Sequence, residues 1–109
     1  MDFPFPCVNS FEELARTDPN KLMEWIKSGE LTSSQLTFAL EILGAFAENT
    51  PKTIALLVDH LYHDSPLVRE GAVTGLSEIE DETVHQVLLL RLDRETSQGV
   101  RVALLEALE

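Results

Sequence analysis

Apolar side chains along this chain recur at intervals of three and four residues rather than in alternation. In residues 51–63, for example, Ile54, Leu57, Val58 and Leu61 follow the i, i+3, i+4, i+7 spacing of one helix face. No stretch of useful length alternates with period two, the spacing typical of strands. The pattern therefore predicts an all-α protein, with helices near 11–16, 19–28, 33–47, 51–63, 66–79, 82–94 and 97–108.

Residues that favour helix starts precede most of these stretches. A Ser, Thr or Asp stands before a proline, or three residues before Glu or Gln, and both arrangements satisfy the first turn of a helix. The predicted starts are Ser10 with Glu13, Asp18 with Pro19, Thr32 with Gln35, Thr50 with Pro51, Ser65 with Pro66, and Asp81. Gly29 predicts the end of the second helix. Because the connections are short, consecutive helices are expected to form antiparallel hairpins.

The sequence also repeats itself. Residues 66–76 align with residues 98–108, so that Val68 and Arg69 match Val100 and Arg101. Residues 39–44 align in the same way with residues 72–77. A fixed period of this length is the signature of an array in which each helical hairpin covers the apolar face of its neighbour.

The residues around Asp64 resemble the first-helix signature of the HEAT family of helical repeats. That signature is Asp-x-x-x-Val-Arg, then a small residue and Ala, then Leu with Ser or Gly. It is present here as Asp64, Val68–Arg69, Gly71–Ala72 and Leu76–Ser77. The likeness is to the short-repeat branch related to the phycobilin-lyase repeats. It covers residues 30–109, most clearly 64–94 and least clearly 33–63, where no Arg follows Leu36.

The resemblance implies an α-α superhelix within a single domain: a short right-handed solenoid of about three HEAT-like hairpins. Residues 10–29 show no match and are expected to form an N-terminal capping helix pair. Residues 1–9 are expected to form an extended arm, because Pro4 and Pro6 exclude regular helix. Small residues one turn apart, Gly71 with Gly75 and their counterparts in the last helix, are expected to let neighbouring helices approach closely.

Arg69 and Arg101 each lie near a helix start, where a positive charge is unfavourable for the local dipole. In the resembled family such arginines bind acids in the adjacent turn. The resemblance therefore implies a structural role for both arginines, with Asp64, Asp93 and Glu95 as candidate acceptors.

In the resembled family the second helix of each hairpin lines the concave face, where ligands bind. The corresponding helices here are 51–63 and 82–94, and one side of each mixes apolar with charged residues, as binding surfaces do. We call these eight residues the second-helix strip: Leu56, Asp59, His60, His63, Val87, Leu90, Arg91 and Arg94. The predicted function is a non-catalytic protein-interaction module, an adaptor or an inhibitor-type scaffold.

The charge balance narrows the class of partner. With 19 acidic and 8 basic side chains the formal net charge is -11, which opposes binding to nucleic acid or to an anionic membrane. A basic protein partner would be attracted, although solubility alone also explains such a charge. The longest apolar runs are too short to span a bilayer and the N-terminus lacks the features of a secretion signal. Cys7 is the only cysteine, so a reducing, cytoplasmic location is expected.

No constellation in the sequence predicts catalysis, a cofactor or a metal. His60 and His63 lie one turn apart, but a solvated helix end explains them better than a metal site does, and His85 is expected at the core edge. No His-Glu pair of the kind used by di-iron members of the resembled family is present. Cys7 is expected to be an idle thiol. The alternatives are an enzyme or enzyme subunit of lyase-like or metal-dependent type, or a fragment of a larger array.

Two further expectations concern apolar side chains. Trp25 is expected in the core rather than at a binding surface. Val102 and Leu105 lie off the main apolar stripe of the last helix and are expected to be exposed. Terminal repeats normally present a polar outer face, so these two residues predict self-association through the last helix.

Overall fold

The computed structural model describes residues 8–109, with side chains described from Ser10 onward. Helices account for most of this range, and no strand occurs in it. The seven α-helices within residues 8–109 are α1 Val8–Thr17, α2 Pro19–Lys27, α3 Ser33–Phe46, α4 Pro51–Asp59, α5 Pro66–Ser77, α6 Glu82–Arg94 and α7 Gln98–Ala107. The all-α prediction is confirmed.

Most of the predicted helix starts are confirmed by their hydrogen bonds. Asp18 accepts from the Lys21 N–H at 3.3 Å, and Thr50 accepts from the Thr53 N–H at 3.2 Å. Thr32 and Gln35 form the predicted reciprocal pair, each side chain accepting from the other's backbone N–H. Asp81 accepts from the Thr83 and Val84 N–H groups. Gly29 has a φ of 79°, the left-handed conformation that ends α2 at little steric cost.

Three local predictions are wrong. Helix α1 already begins at Val8, so Ser10 lies inside the helix instead of capping it. Ser65 occupies the cap position of α5 but makes no capping side-chain bond. The helix predicted over 51–63 ends at Asp59 and continues as a 3₁₀ turn, His60–Tyr62. The arm predicted over residues 1–9 and Cys7 lie outside the described residues, apart from Val8 and Asn9, which are helical.

The helices form two layers. The first layer contains α1, α3, α5 and α7, which pack against one another in that order. On the other side, α4 packs against α3 and α5, and α6 packs against α7, while α2 packs against α1 and α3. The resulting stack is elongated, 46 × 24 × 18 Å. Helices α1 and α2 pack against each other and against α3, and their role as a cap stays a prediction.

Glycines set the separation within the first layer. A Cβ added at Gly71 would lie 2.8 Å from the carbonyl oxygen of Thr37, and one at Gly75 would lie 2.5 Å from that of Leu40. A Cβ at Gly44 would overlap the backbone of Gly75. Helices α3 and α5 therefore meet at backbone distance, which confirms the role predicted for Gly71 and Gly75.

Apolar side chains from all seven helices form one core between the layers. The largest fully buried side chains include Phe11, Leu40, Leu57 and Leu76. Trp25 is half-buried rather than part of this core. His85, expected at the core edge, is exposed.

Candidate partner-binding site

The structure distributes the second-helix strip over two neighbouring surfaces. Leu56 and Asp59 lie on α4, and His60 and His63 lie on and after the 3₁₀ turn, whereas the remaining four residues lie on α6. Asp59, Leu90 and Arg94 are exposed. The others are less accessible: His60, His63 and Val87 are half-buried, Arg91 is nearly buried, and Leu56 is buried. Only part of the predicted strip can therefore meet a partner directly.

A buried carboxylate fixes the corner beside the strip. The Glu95 side chain has no exposed surface and follows the last residue of α6. Arg69 of α5 donates to it through Nε and Nη2, both at 2.9 Å, and Arg91 donates through Nε at 3.2 Å. The backbone N–H groups of Thr96 and Ser97 also donate to it, at 3.1 and 2.9 Å. One carboxylate thus joins α5, α6 and the segment that starts α7.

The environment of Glu95 keeps it ionised. Burial alone would raise the pKa of its carboxyl, because a low-dielectric environment disfavours the charged form. The hydrogen bonds from Arg69 and from the Ser97 N–H, together with the positive charges of Arg69 and Arg91, outweigh that effect and lower the pKa below its ordinary value. The predicted structural role of Arg69 is therefore confirmed, with Glu95 as its acid.

Both arginines of the repeated Val-Arg pair also bind backbone carbonyls. Arg69 donates through Nη1 to the His63 carbonyl at 2.7 Å, next to the turn before α5. Arg101 donates through Nη1 to the carbonyls of Leu92 and Glu95, at 2.8 and 3.1 Å. Arg101 is thus structural as predicted, but it binds carbonyl oxygens instead of an acidic side chain.

Arg91 connects the two halves of the strip. Its guanidinium carbon lies 5.1 Å from the centre of the Tyr62 ring, a cation–π arrangement between α6 and the 3₁₀ turn. Since Arg91 also donates to the buried Glu95, its position is fixed from both sides. Arg91 consequently supports the surface and is a poor residue for testing partner contact.

The part of the strip on α4 borders a cleft that the sequence did not predict. We call it the α2–α4 cleft, and its volume is about 540 Å³, within the range typical of ligand sites. Apolar side chains from three helices form its floor: Met23, Ile26, Leu36, Ala55 and Leu56. Lys52 at the start of α4 donates to the Asn20 side chain of α2 at 3.2 Å, which joins the two walls at one end.

Charged and polar groups surround this floor. Lys27, Lys52, Asp59, His60 and His63 line the cleft. The two imidazole rings are stacked, with centres 6.0 Å apart and planes inclined by 11°. His60 donates from Nδ1 to the Leu56 carbonyl at 2.9 Å, and His63 accepts at Nδ1 from the Ser65 N–H at 3.0 Å. Their Nε2 atoms are therefore the nitrogens left to meet a ligand.

The sequence indicates the two helix faces that line this cleft, but not that they meet. Lys52, Ala55 and Asp59 follow the spacing i, i+3, i+7 on one face of α4, so a small side chain stands between two charged ones. Met23, Ile26 and Lys27 share one face of α2 in the same way. The missing information was that these two faces meet, because residues 10–29 match no repeat.

Exposed apolar side chains mark a second part of the surface. Leu90 of the strip is 66% exposed, the highest value among the large hydrophobic residues that the structure describes as exposed. Leu89 beside it and Tyr62 on the 3₁₀ turn are also exposed. Apolar groups rimmed by charged ones are typical of protein-binding surfaces.

Neither metal nor membrane features occur in the described range. Among residues 8–109, no three His, Cys, Asp or Glu side chains lie close enough together to hold a metal ion. Within the same range, none of the helices has the length and apolar character needed to cross a bilayer.

Comparison with known proteins identifies the repeat. A family model described as HEAT repeats matches residues 33–109, from the first residue of α3 onward. No curated protein and no solved structure gives a significant match. The match is to HEAT repeats in general, so the likeness to the phycobilin-lyase branch stays a prediction. Since the match covers more than half of a chain whose helices stack in two layers, the protein belongs to the HEAT-repeat family.

Proposed function

We propose that this chain is a non-catalytic protein-interaction module, an adaptor or an inhibitor-type scaffold, that binds its partner through the exposed part of the second-helix strip. HEAT repeats are commonly protein-interaction scaffolds, which supports the general role. The observation that carries the proposal is the exposure of Leu90 next to Arg94, one turn further along α6. An exposed apolar side chain beside charged groups is typical of a protein-binding surface.

The preferred partner carries positive charge. The turns within the second and third hairpins lie at the same edge of the stack, because both connect a first-layer helix to a second-layer helix. They carry exposed acids: Glu48 in one turn, and Glu78, Glu80 and Asp81 with the adjoining Glu82 in the other. Together with the net charge of -11, this edge favours a cationic protein and opposes nucleic acid.

Affinity capture from a lysate tests the proposal. The intact chain is compared with the Leu90→Glu and Arg94→Glu variants, and loss of the leucine contact is expected to weaken capture about tenfold. Leu67→Glu is the matched control, since Leu67 is 44% exposed on the first-layer helix α5. A set of captured proteins that is unchanged by Leu90→Glu, or equally lost with Leu67→Glu, contradicts the proposed surface.

Self-association through α7 is a second proposed property. Val102 and Leu105 are 44% and 52% exposed, and on α3 the equivalent positions, Thr37 and Leu40, are covered by α5. Sedimentation velocity is expected to show a concentration-dependent increase in the sedimentation coefficient that Leu105→Glu abolishes. A monomer at every concentration contradicts this property and leaves the interaction module untouched.

A further inference from the structure

Lysines and histidines line the α2–α4 cleft, although the protein as a whole is acidic. The chain has three lysines and three histidines, and two of each line this one cleft: Lys27, Lys52, His60 and His63. Asp59 is the single acid among the lining residues. Two lysines against one aspartate leave a local formal charge of about +1, while the whole chain carries -11. The formal charge of the residues that line the cleft is therefore opposite in sign to that of the whole chain.

Most of the hydrogen-bonding groups in the cleft are donors, so they favour a ligand that carries an acceptor. Each lysine ammonium offers donors only. The neutral His63 ring accepts at Nδ1 from the Ser65 N–H, so its Nε2 carries the proton and donates as well. His60 uses its Nδ1–H for the Leu56 carbonyl, so the donors that face a ligand come from the two lysines and from His63. A carboxylate satisfies this set of donors better than a neutral or a cationic group does.

The apolar floor of the cleft favours a ligand with an apolar group beside that acceptor. Met23, Ile26 and Leu56 close the bottom of the cleft, and the small Ala55 leaves space above them. A cavity of about 540 Å³ with an apolar floor and a few convergent polar groups has the composition of a ligand site. An apolar side chain can enter it while a neighbouring carboxylate remains at the rim, near the lysines.

We propose that the α2–α4 cleft binds a segment of a partner protein that presents an apolar side chain next to a carboxylate. The basis is charge complementarity between that carboxylate and the two lysines. This inference deepens the interaction module proposed above and rests on it, because it assigns the cleft to the same partner-binding side. It is compatible with a partner that is basic overall, since only a short acidic and apolar segment enters the cleft.

Titration with defined peptides, followed by NMR, tests the cleft alone. The probe is a short peptide of alternating leucine and glutamate, acetylated and amidated at its ends. Two control peptides carry glutamine or lysine in place of glutamate. Hexanoate, a small carboxylate with an apolar chain, is titrated separately. The glutamate peptide is expected to give saturable shifts at Met23, Ala55, His60 and His63, with an affinity about tenfold above that of the glutamine peptide.

Variants of the protein separate charge from shape. Lys27→Glu combined with Lys52→Glu is expected to weaken binding of the glutamate peptide about tenfold, whereas Lys21→Glu, on α2 but outside the cleft, leaves it unchanged. Ala55→Phe is expected to block the cleft. Ala45→Phe, an equally exposed alanine of α3, is its matched control. Circular dichroism establishes that each variant is folded, which keeps the outcome independent of stability.

Several results overturn the inference. The proposed chemistry is contradicted if the glutamine peptide binds as tightly as the glutamate peptide, or if the lysine peptide is preferred. It is also contradicted if the chemical shifts change elsewhere in the protein, or if no peptide shows saturable binding. Binding of hexanoate alone contradicts a protein segment as the occupant. A negative titration together with capture that depends on Leu90 eliminates the cleft but retains the interaction module, so the two failures are distinguishable.

Discussion

Glu95 shows how a single residue determines local architecture. Its carboxylate is fully buried, yet it accepts hydrogen bonds from two arginines and two backbone N–H groups. Burying a charge is unfavourable unless the geometry satisfies it, and removing one partner of such a group leaves the others unpaired in a poorly solvated site. The stability of the α5–α6–α7 corner therefore depends on this side chain more than on any exposed ion pair.

Replacement of Glu95 by glutamine is expected to lower the free energy of unfolding by about 3 kcal/mol, because Arg69 and Arg91 lose their common counter-ion. Urea denaturation measures the change. Glu13→Gln, at an exposed site on α1, is the matched control and is expected to alter the same quantity by less than about 0.5 kcal/mol. Equal effects of the two substitutions would show that the buried network adds no stability.

The Glu95 contribution also has a defined pH dependence. Its pKa is lower in the folded protein than its ordinary value of 4.5, so the folded state binds fewer protons at this site than the unfolded state does. The contribution is fully present above the unfolded pKa and is lost as the pH falls through the folded pKa. The destabilisation caused by Glu95→Gln is therefore expected to decrease once the pH is taken below about 4.5.

The pKa of Glu41 is shifted in the opposite direction to that of Glu95. Burial on α3, with repulsion from Glu70 of α5, raises the pKa of the Glu41 carboxyl. The folded state then binds more protons at this site, and its stability falls as the pH rises through that pKa. Glu41→Gln is expected to stabilise the protein at pH 7 and to lose this benefit in acid, as measured by urea denaturation at several pH values. The double variant with Glu70→Gln should gain less than the sum of the single changes.

The role of a side chain that bonds its own backbone could be predicted from the sequence. The burial of a side chain that depends on a distant helix could not. Asp18, Thr32 and Asp81 cap helices as predicted, because a cap bonds N–H groups within three residues. The exposure of His85 and the partial burial of Trp25 depend on which neighbour each helix face meets. No local pattern specifies that neighbour.

At the scale of elements, the crossing of α3 and α5 is the tightest feature of the stack. Gly71 and Gly75 face backbone atoms of Thr37 and Leu40, and a side chain there has no space without moving a helix. Gly99 on α7 differs, since an added Cβ would meet only the end of the flexible Glu70 side chain, at 3.4 Å. The same substitution therefore has opposite consequences in two helices of the first layer.

Gly75→Ala is expected to destabilise the protein by about 2 kcal/mol or more, because overpacking forces α3 and α5 apart. Gly99→Ala is expected to be neutral or to stabilise it by up to about 1 kcal/mol, since alanine favours the helix. Thermal denaturation of both variants measures the difference. A Gly75→Ala protein as stable as the Gly99→Ala protein would contradict the backbone-distance packing of α3 and α5.

Element boundaries were largely predictable, whereas the α2–α4 cleft was not. Prolines and capping residues mark the starts of α2, α4 and α5 to the residue, because each signal lies within one turn of the boundary it sets. The cleft arises between helices that belong to different hairpins, one of which matches no repeat. Its walls approach through tertiary packing, for which the sequence carries no periodic signal.

For the whole molecule, the dominant property is an unbalanced charge. Three of the five arginines, Arg69, Arg91 and Arg101, are used for internal hydrogen bonds, so few cations remain to offset the exposed acids. Like charges spread over a stack 46 Å long repel one another at low ionic strength, when the screening length is about 30 Å. This repulsion destabilises the folded state, because folding brings the like charges closer together.

Added salt is therefore expected to raise the melting temperature between about 0.01 M and about 1 M NaCl, as the screening length falls from about 30 Å to about 3 Å. Differential scanning calorimetry measures the shift. The destabilisation caused by Glu95→Gln should be nearly independent of salt, because the ions of that network are shielded from solvent. A melting temperature that falls as salt is added would indicate that attractive surface pairs outweigh the repulsion.

The Glu95 carboxylate has one more consequence for the array as a whole. In a linear stack the outermost unit touches a single neighbour, so it ordinarily frays before the rest. Here one buried group receives donors from α5, from α6 and from the segment that begins α7. Detachment of α7 would leave hydrogen-bonding groups of the preceding hairpin unpaired, so we expect the segment from α5 to α7 to unfold as one cooperative unit.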